Sequence, residues 1–322
     1  MANTYMNPSG GAQTGAINYH SQEYALAVGL GQLKSDLVLG KLVTNYTAQA
    51  RNQGSRFGQN VRVPITGAVA ATTKTPGTAA TVSAATSTKA DIAINVHKTW
   101  DILIEDNGGL QAQADVYAKY LKDGANRIAE AVETSIAATY ASAGQTVGTN
   151  GGNASQALMA SVRSAARGSS GKFDMSQPAY MVWGVNAEAD LLQVAAFVQA
   201  YSVADNGDAL SNAFLGKKFG FTQYTSNLIA AIAGTPGAEH NLAFQSDAIG
   251  MAFVDLNLNA LPGMSAGADV AVMDMTDDDG VATYSLRSIM SYDQLERGVI
   301  LSVDTIYGVG VVRSEHLIDV LS

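Results

Sequence analysis

Two segments are the most informative about the fold, Asn60-Val-Arg-Val-Pro-Ile-Thr66 and Asp91-Ile-Ala-Ile-Asn-Val-His97, because in both every second residue is valine or isoleucine. Such alternation is typical of β-strands with one buried and one exposed face. Between them, fifteen of the twenty-four residues at 67–90 are alanine or threonine, and Pro76–Gly77 is a turn signal. The pattern predicts a long hairpin with a low-complexity tip. Since a two-stranded ribbon has no core of its own, we expect it to lie on its own domain or on a neighbouring molecule.

A long amphipathic helix is predicted to follow the hairpin, from about Leu110 to Ala141. Its apolar residues recur at spacings of three and four: Tyr117, Leu121, Ala125, Ile128, Val132, Ile136 and Tyr140. Asp106 or Asn107 is the expected N-cap, and Gly144 the expected stop. About 32 residues would form a rod of roughly 48 Å, which suits a structural spine.

The remainder of the chain, from residue 145, is predicted to alternate short helices and strands and to end in a strand-rich region at 268–322. We expect a helix at 187–201 with Asn186 as its cap, and a helix that begins at Ser246 or Asp247 and runs through Val254. The run Asp277-Asp-Asp-Gly280 is a predicted turn between two of the closing strands.

Charge is scarce and unevenly distributed. Charged residues make up 15% of the chain, and the formal net charge is -9. Residues 1–100 carry eight Lys or Arg and three acidic residues, a net of +5, whereas residues 101–322 carry eleven and twenty-five, a net of -14. A basic front part and an acidic remainder can attract each other between copies or within one copy. The acidic bulk argues against tight binding of nucleic acid, which needs clustered Lys and Arg.

No pattern in the sequence predicts catalysis, a cofactor or a metal. The chain has no cysteine. Gly263-Met-Ser-Ala-Gly267 matches the serine-hydrolase pattern, but Pro262 precedes it and a strand pattern follows, so a turn is favoured over a nucleophile elbow. The four histidines form no metal-binding pair, and we expect them at surface or interface positions. Neither a signal peptide nor an apolar run long enough to span a membrane is found.

Seven short segments, in the same order, resemble the major capsid proteins of tailed double-stranded DNA bacteriophages, which have the HK97-like fold. They are Val61-Arg-Val-Pro64, Ile102-Leu-Ile-Glu-Asp106, Pro178-Ala-Tyr-Met-Val-Trp183, Gly216-Lys-Lys-Phe-Gly-Phe221, Leu242-Ala-Phe-Gln-Ser-Asp-Ala248, Ser285-Leu-Arg287 and Ile306-Tyr-Gly-Val-Gly-Val311. The resemblance covers about residues 55–322. It implies an α+β chain with an N-terminal arm, a long β-hairpin (the E-loop), a long spine helix and a mixed α/β axial domain.

The resemblance also implies a division of the chain. The N-terminal arm is expected at residues 1–54 and the E-loop hairpin at 55–100. The peripheral (P) domain is expected to combine 101–144 with 286–322, and the axial (A) domain to occupy 145–285. In this family the E-loop lies across a neighbouring subunit, so the expected inter-subunit contact residues are Arg62, Lys74, Pro76, Gly77 and Lys89.

The implied function is a coat protein, not an enzyme, that assembles as pentamers and hexamers into the icosahedral head around viral DNA. The implied partners are other copies of the chain, a separate scaffolding protein, a portal protein and packaged DNA contacted only weakly. The implied location is the virion capsid, assembled in the host cytoplasm. A nanocompartment shell of the encapsulin type shares the fold and is the nearest alternative, and a surface-layer or adhesin protein is a more distant one.

Overall fold

The computed structural model describes residues 38–66, 71–79, 82, 84, 87–105, 116–168, 173–174, 176–194, 216–254, 268–276 and 282–322. These residues form two six-stranded sheets, a two-stranded hairpin and four α-helices. The predicted α+β class is therefore confirmed. Several sequence predictions lie outside the described residues: most of the N-terminal arm, the helix caps at 106 and 107, the turns at 263–267 and 277–280, and the end of the helix at 187–201.

The first sheet is organised around its longest strand, β13. Its strands are β1 (Thr44–Asn45), β4 (Val96–Glu105), β10 (Ile249–Val254), β11 (Ala268–Thr276), β12 (Ala282–Asp293) and β13 (Gly298–Val311). One edge of β13 pairs with β4, and the other edge pairs with β12 in its first half and with β10 in its second half. β11 continues the sheet beyond β12, and β1 continues it beyond β10. At about 3.3 Å per residue, the fourteen residues of β13 extend roughly 45 Å.

The spine helix, α2 (Val116–Ala137), packs on this sheet and continues into a 3₁₀ turn at Ala138–Ser142. The predicted apolar stripe is confirmed, because Leu121, Ala125, Ile128, Val132 and Ile136 are all buried. All of these except Ala125 share a core with Leu301, Val303 and Tyr307 of β13. The Tyr307 hydroxyl donates to the Ala131 carbonyl oxygen at 3.1 Å, which ties the helix to the central strand. Each fully buried side chain of this size stabilises the fold by roughly 1.5–3 kcal/mol.

The second sheet belongs mainly to the middle of the chain. Its strands are β5 (Gln145–Gly148), β6 (Ala179–Trp183), β7 (Lys217–Lys218), β8 (Phe221–Thr225), β9 (His240–Gln245) and β14 (Leu317–Leu321). They pair in the order β5–β14–β9–β6–β8–β7. Two helices pack on it, α3 (Gln156–Arg167) and α4 (Val185–Leu192). Their shared core includes Met159, Met181, Trp183, Leu191 and Ile318.

The predicted hairpin is formed by β2 (Asn60–Thr66) and β3 (Ser87–Ala93), which pair antiparallel with Val61 opposite Ile92. A short helix, α1 (Thr47–Gln53), precedes it. The apolar face of the hairpin is buried in the chain's own third core, formed by Ala50, Val61, Val63, Ile92, Ile94, Ala252 and Val312. Gly308 of β13 permits this close approach, because a side chain there would collide with the carbonyl oxygen of Ala93.

The predicted helix from Ser246 or Asp247 through Val254 is wrong, because Ile249–Val254 is the strand β10. Its sequence, Ile-Gly-Met-Ala-Phe-Val, is apolar or small at every position, and the first five residues are buried. A strand that is covered on both faces loses the alternation that identifies strands, so periodicity cannot distinguish it from a buried helix.

Two further local predictions need correction. The pattern at 92–97 is not one strand, because β3 ends at Ala93 and β4 begins at Val96. The backbone of Ile94 pairs with Gly58 and Gln59 instead, through hydrogen bonds of 2.7 and 2.9 Å. The helix predicted at 187–201 begins at Val185 with Gly184 as its N-cap, not Asn186.

The two sheets group strands across the predicted domain limits. β10 and β11, which the predicted division places in the axial domain, pair in the first sheet around β13. β14, which it places in the peripheral domain, pairs in the second sheet with β5 and β9. The domain limits stay a prediction, since pairing shows only which strands are neighbours.

Candidate subunit-contact surface

The tip of the hairpin carries three of the predicted contact residues, Lys74, Pro76 and Gly77, and all three are exposed. The tip is held by a local turn in which the Thr78 amide and hydroxyl donate to the Thr75 carbonyl oxygen at 3.2 and 2.7 Å. Gly77 has a φ of 86°, as the third residue of a type II turn requires. Within the described part of the chain, residues 71–79 hydrogen-bond only among themselves.

The other two predicted contact residues, Arg62 and Lys89, lie on the outer face of the ribbon. Arg62 is directly opposite Asp91, and Lys89 is opposite Pro64. Because opposite residues of an antiparallel pair share a face, these four side chains form one exposed strip. Lys89 Nζ lies 3.3 Å from Asp91 Oδ2. The five predicted residues therefore form an extended surface along the hairpin, not a pocket.

The outer edge of β2 is covered by two glutamines of α1 that the sequence analysis did not identify. Gln53 accepts from the Arg62 amide at 2.9 Å and donates to the Arg62 carbonyl oxygen at 2.8 Å, as a neighbouring strand would. Gln49 Nε2 donates to the same oxygen at 2.6 Å. An unpaired strand edge invites unwanted pairing with other chains, and these side chains occupy it. The sequence signal that could have indicated this contact is the presence of two glutamines one helical turn apart.

A shallow groove lies at the base of the hairpin, between α1 and β2. Its volume is about 580 Å³, and it is lined by Gln53, Ser55, Gly58, Gln59, Asn60 and Arg62. Next to it the turn Arg56–Gln59 presents Phe57, whose surface is 55% exposed. A large exposed aromatic side chain beside a groove is typical of protein contact surfaces.

Outside the hairpin, contacts between histidine and aspartate side chains connect different segments of the chain. Each described histidine contacts an aspartate: His97 with Asp304, His240 with Asp319 and His316 with Asp247, at 2.9, 3.0 and 2.9 Å. Burial raises the pKa of the Asp319 carboxyl, and the hydrogen bond from His240 acts in the opposite direction. The expected surface position is wrong for His316, which is buried. Among the described residues, no three His, Cys, Asp or Glu side chains are placed to hold a metal ion.

A buried acidic side chain fixes the beginning of α4. Glu239, on the segment before β9, accepts hydrogen bonds from the backbone amides of Asn186 and Ala187 at 3.2 and 3.1 Å. A carboxylate at a helix N-terminus satisfies free amides and complements the helix dipole. The N-cap position is occupied by Gly184, and a larger residue there would collide with this carboxylate. The role of the Glu239 carboxylate in this structure is therefore to cap α4.

The helices of the described residues include none that is both long and apolar enough to cross a membrane.

Comparisons with known proteins identify the fold. No protein-family model and no curated protein matches the sequence. A chain in a structure of Mycobacterium phage Che8 matches with a TM-score of 0.60 and 18% identity, over 88% of this chain and 90% of that one. A chain in the capsid structure of cyanophage P-SCSP1u matches with a TM-score of 0.57 and 17% identity, over 87% and 86%. A chain in the mature capsid of bacteriophage PhiM1 matches with a TM-score of 0.55 and 13% identity, over 87% and 85%.

The matches extend over nearly the whole of each chain, so they concern the complete architecture and not one shared motif. The hairpin, the spine helix and the two sheets together form the HK97-like capsid fold, as the sequence predicted.

Proposed function

We propose that this chain is the major capsid protein of a tailed double-stranded DNA virus. It assembles as pentamers and hexamers into the icosahedral head that encloses the viral DNA, and it is a structural subunit without catalytic activity. The observation that carries the proposal is the HK97-like fold, which the chain shares over 87–88% of its length with the phage structures.

The hairpin supplies independent physical support. Its base has a core within the chain, whereas its tip, at 71–79, is exposed and makes no described hydrogen bond to the body. An Ala- and Thr-rich ribbon gains little from extending into water, because ordering each residue opposes folding by roughly 1–2 kcal/mol. A neighbouring subunit beneath the tip would offset that entropy loss.

We assign Arg62, Lys74, Pro76, Gly77 and Lys89 to the contact that the hairpin makes across this neighbour. The basic side chains among them would face an acidic surface, since residues 101–322 carry a net charge of -14. The hairpin at 55–100 is then the E-loop. The P domain combines 101–144 with 286–322, and the A domain at 145–285 meets its copies at the centre of each pentamer or hexamer.

The remaining partners follow from the same role. We propose a separate scaffolding protein during assembly, a portal protein at one vertex, and packaged DNA that touches the shell only weakly. Weak contact suits an acidic subunit, because like charges on protein and phosphate repel each other. Assembly would take place in the host cytoplasm, and the mature location would be the virion capsid.

Sedimentation velocity and negative-stain electron microscopy of the purified protein test the proposal, with and without candidate scaffolding proteins from the same genome. We expect closed shells, tubes, or rings of five and six copies. A particle that stays monomeric at every protein concentration, salt concentration and scaffold tested would contradict the proposed function.

A further inference from the structure

Two exposed apolar side chains lie near opposite ends of the long strand β13. Leu295 precedes its first residue, Gly298, and is 93% exposed. Phe57, at the base of the hairpin, lies toward the other end and is 55% exposed. Apolar side chains exposed to this extent are common singly, but both of these are held out by ordered turns and flanked by charges.

Leu295 projects from a well-defined turn between β12 and β13, residues 293–297, which we call the knob. The Asp293 carboxylate accepts hydrogen bonds from the Leu295 and Glu296 amides at 2.8 and 3.4 Å. Arg297 completes the turn with a φ of 49°. The turn is therefore fixed by its own residues, and the leucine points into solvent without a partner from the described body.

The complementary feature is the groove at the base of the hairpin together with Phe57. The turn that presents Phe57 is fixed by a hydrogen bond from the Gln59 amide to the Arg56 carbonyl oxygen at 3.0 Å. Gly58 anchors the same turn to the hairpin, because its amide donates to the Ile94 carbonyl oxygen at 2.7 Å. The groove therefore has a rigid wall and an apolar rim.

The charges of the two features are opposite. The knob contains two acidic residues, Asp293 and Glu296, and one basic residue, Arg297. A third acidic residue, Glu105, lies beside it, opposite Gly298, so this surface is acidic. The groove has Arg62 among its lining residues and Arg56 next to it, and none of the described residues that line it is acidic. Opposite charges around an apolar contact steer association and select the partner.

The knob and the groove of one chain cannot meet. The hairpin base lies against β13 at Gly308, where Ala93 makes its close approach, whereas the knob joins β13 at Gly298. Ten strand residues separate these points, which is about 33 Å. Both features are attached to the same sheet, so any contact between them must join two copies head to tail.

We propose that the knob of one copy docks in the groove of a second copy, with Leu295 against Phe57 and Glu296 beside Arg56 and Arg62. The inference rests on the self-association in the proposed function and adds a specific contact to it, distinct from the hairpin tip. A head-to-tail contact generates a ring when the rotation between copies closes.

The absence of cysteine from the chain allows a direct test by cross-linking. Leu295→Cys and Phe57→Cys are prepared separately, mixed under assembly conditions and oxidised. A disulfide-linked dimer on a non-reducing gel is expected only in the mixture. Val185 is also apolar and exposed, but it begins α4, which packs on the other sheet. A mixture of Leu295→Cys with Val185→Cys is therefore the matched control, and it should stay uncross-linked.

A charge exchange provides the second readout and keeps Leu295 and Phe57 in place. Glu296→Arg alone and Arg56→Glu alone are each expected to lower the association constant about tenfold, and an equimolar mixture of the two variants to restore it between unlike copies. Both residues are exposed, so the variants are expected to fold.

The outcomes separate the two proposals. Cross-linking of Leu295→Cys with itself, or assembly that is unchanged by both charge reversals, would overturn the knob-and-groove contact while shells of the unaltered protein still supported a capsid role. A protein that never assembles in unaltered form would overturn both proposals.

Discussion

The two ends of one hairpin differ in what surrounds them. At its base, Val61 and Ile92 face each other inside a core supplied by α1, β10 and the segment after β13. At its tip, residues 71–79 are exposed, and the turn at Pro76–Gly77 is held only by its own hydrogen bonds within the described residues. The base of the ribbon therefore contributes to the stability of the subunit, whereas its tip is left available for contact with another molecule.

Truncation of the base core should have the largest effect on stability. Ile92→Ala is expected to lower the free energy of unfolding by about 2–5 kcal/mol, because it leaves a cavity in a fully buried position. Chemical denaturation of the unassembled subunit measures the change. Val82→Ala, in the exposed part of the same hairpin, is the control and should change it by less than about 0.5 kcal/mol. Equal effects would remove the distinction between base and tip.

The packing of the hairpin base against β13 can be tested by substituting two glycines of that strand. Gly308→Ala should destabilise the subunit by about 1–3 kcal/mol, because its new methyl group meets the Ala93 backbone. Gly310→Ala should have little effect, since its methyl group would contact Ile92 at ordinary distances of 3.5–3.7 Å. Thermal unfolding of both variants decides the matter, and the reverse order of stability would show that the base lies elsewhere on the strand.

The glutamine cover on β2 should make a smaller contribution. Gln53→Ala removes two hydrogen bonds to the Arg62 backbone and is expected to lower the free energy of unfolding by about 1 kcal/mol. Asn52→Ala, on an exposed neighbour in the same helix, is the control. Denaturant titration of the two variants measures the difference, and identical midpoints would mean that solvent replaces the glutamine without loss.

The smallest stability effect is expected at the outer strip. Lys89→Ala removes a surface ion pair with Asp91, and such pairs contribute only about 0–1 kcal/mol. The same substitution should slow assembly, followed by light scattering, if Lys89 contacts a neighbour. A large loss of stability with unchanged assembly would place Lys89 in the fold of its own subunit instead of in the contact.

Sequence alone predicted those helices and strands that have one buried and one exposed face. The α2 stripe and the β2–β3 hairpin each have a buried and an exposed side, so their periodicity is visible in the order of residues. β10 was predicted as a helix because both of its faces are covered and its sequence has no polar face to mark the period. The break between β3 and β4 was missed because Ile94 is buried like Ile92, so the alternation of buried and exposed residues continues although Ile94 leaves the ladder.

The features that depend on distant residues could not be predicted. Glu239 reaches the start of α4 from more than fifty residues along the chain, so the local sequence suggested Asn186 as the cap instead. The positions of Phe57 and Leu295 near opposite ends of β13 depend on strand pairings that no local pattern encodes. The five predicted contact residues are all exposed, two on the outer strip of the ribbon and three at its tip, and their role in assembly stays a prediction.

The most direct test of the central claim is electron microscopy of a subunit that lacks only the hairpin tip. Thr66 pairs with Ser87 at the end of the ribbon, so residues 67–86 can be replaced by Asn-Gly, which forms a tight two-residue hairpin turn. We expect this variant to be as stable as the unaltered protein but to form no closed shells under conditions in which the unaltered protein does. Normal shells from this variant would contradict the proposed role of the hairpin tip.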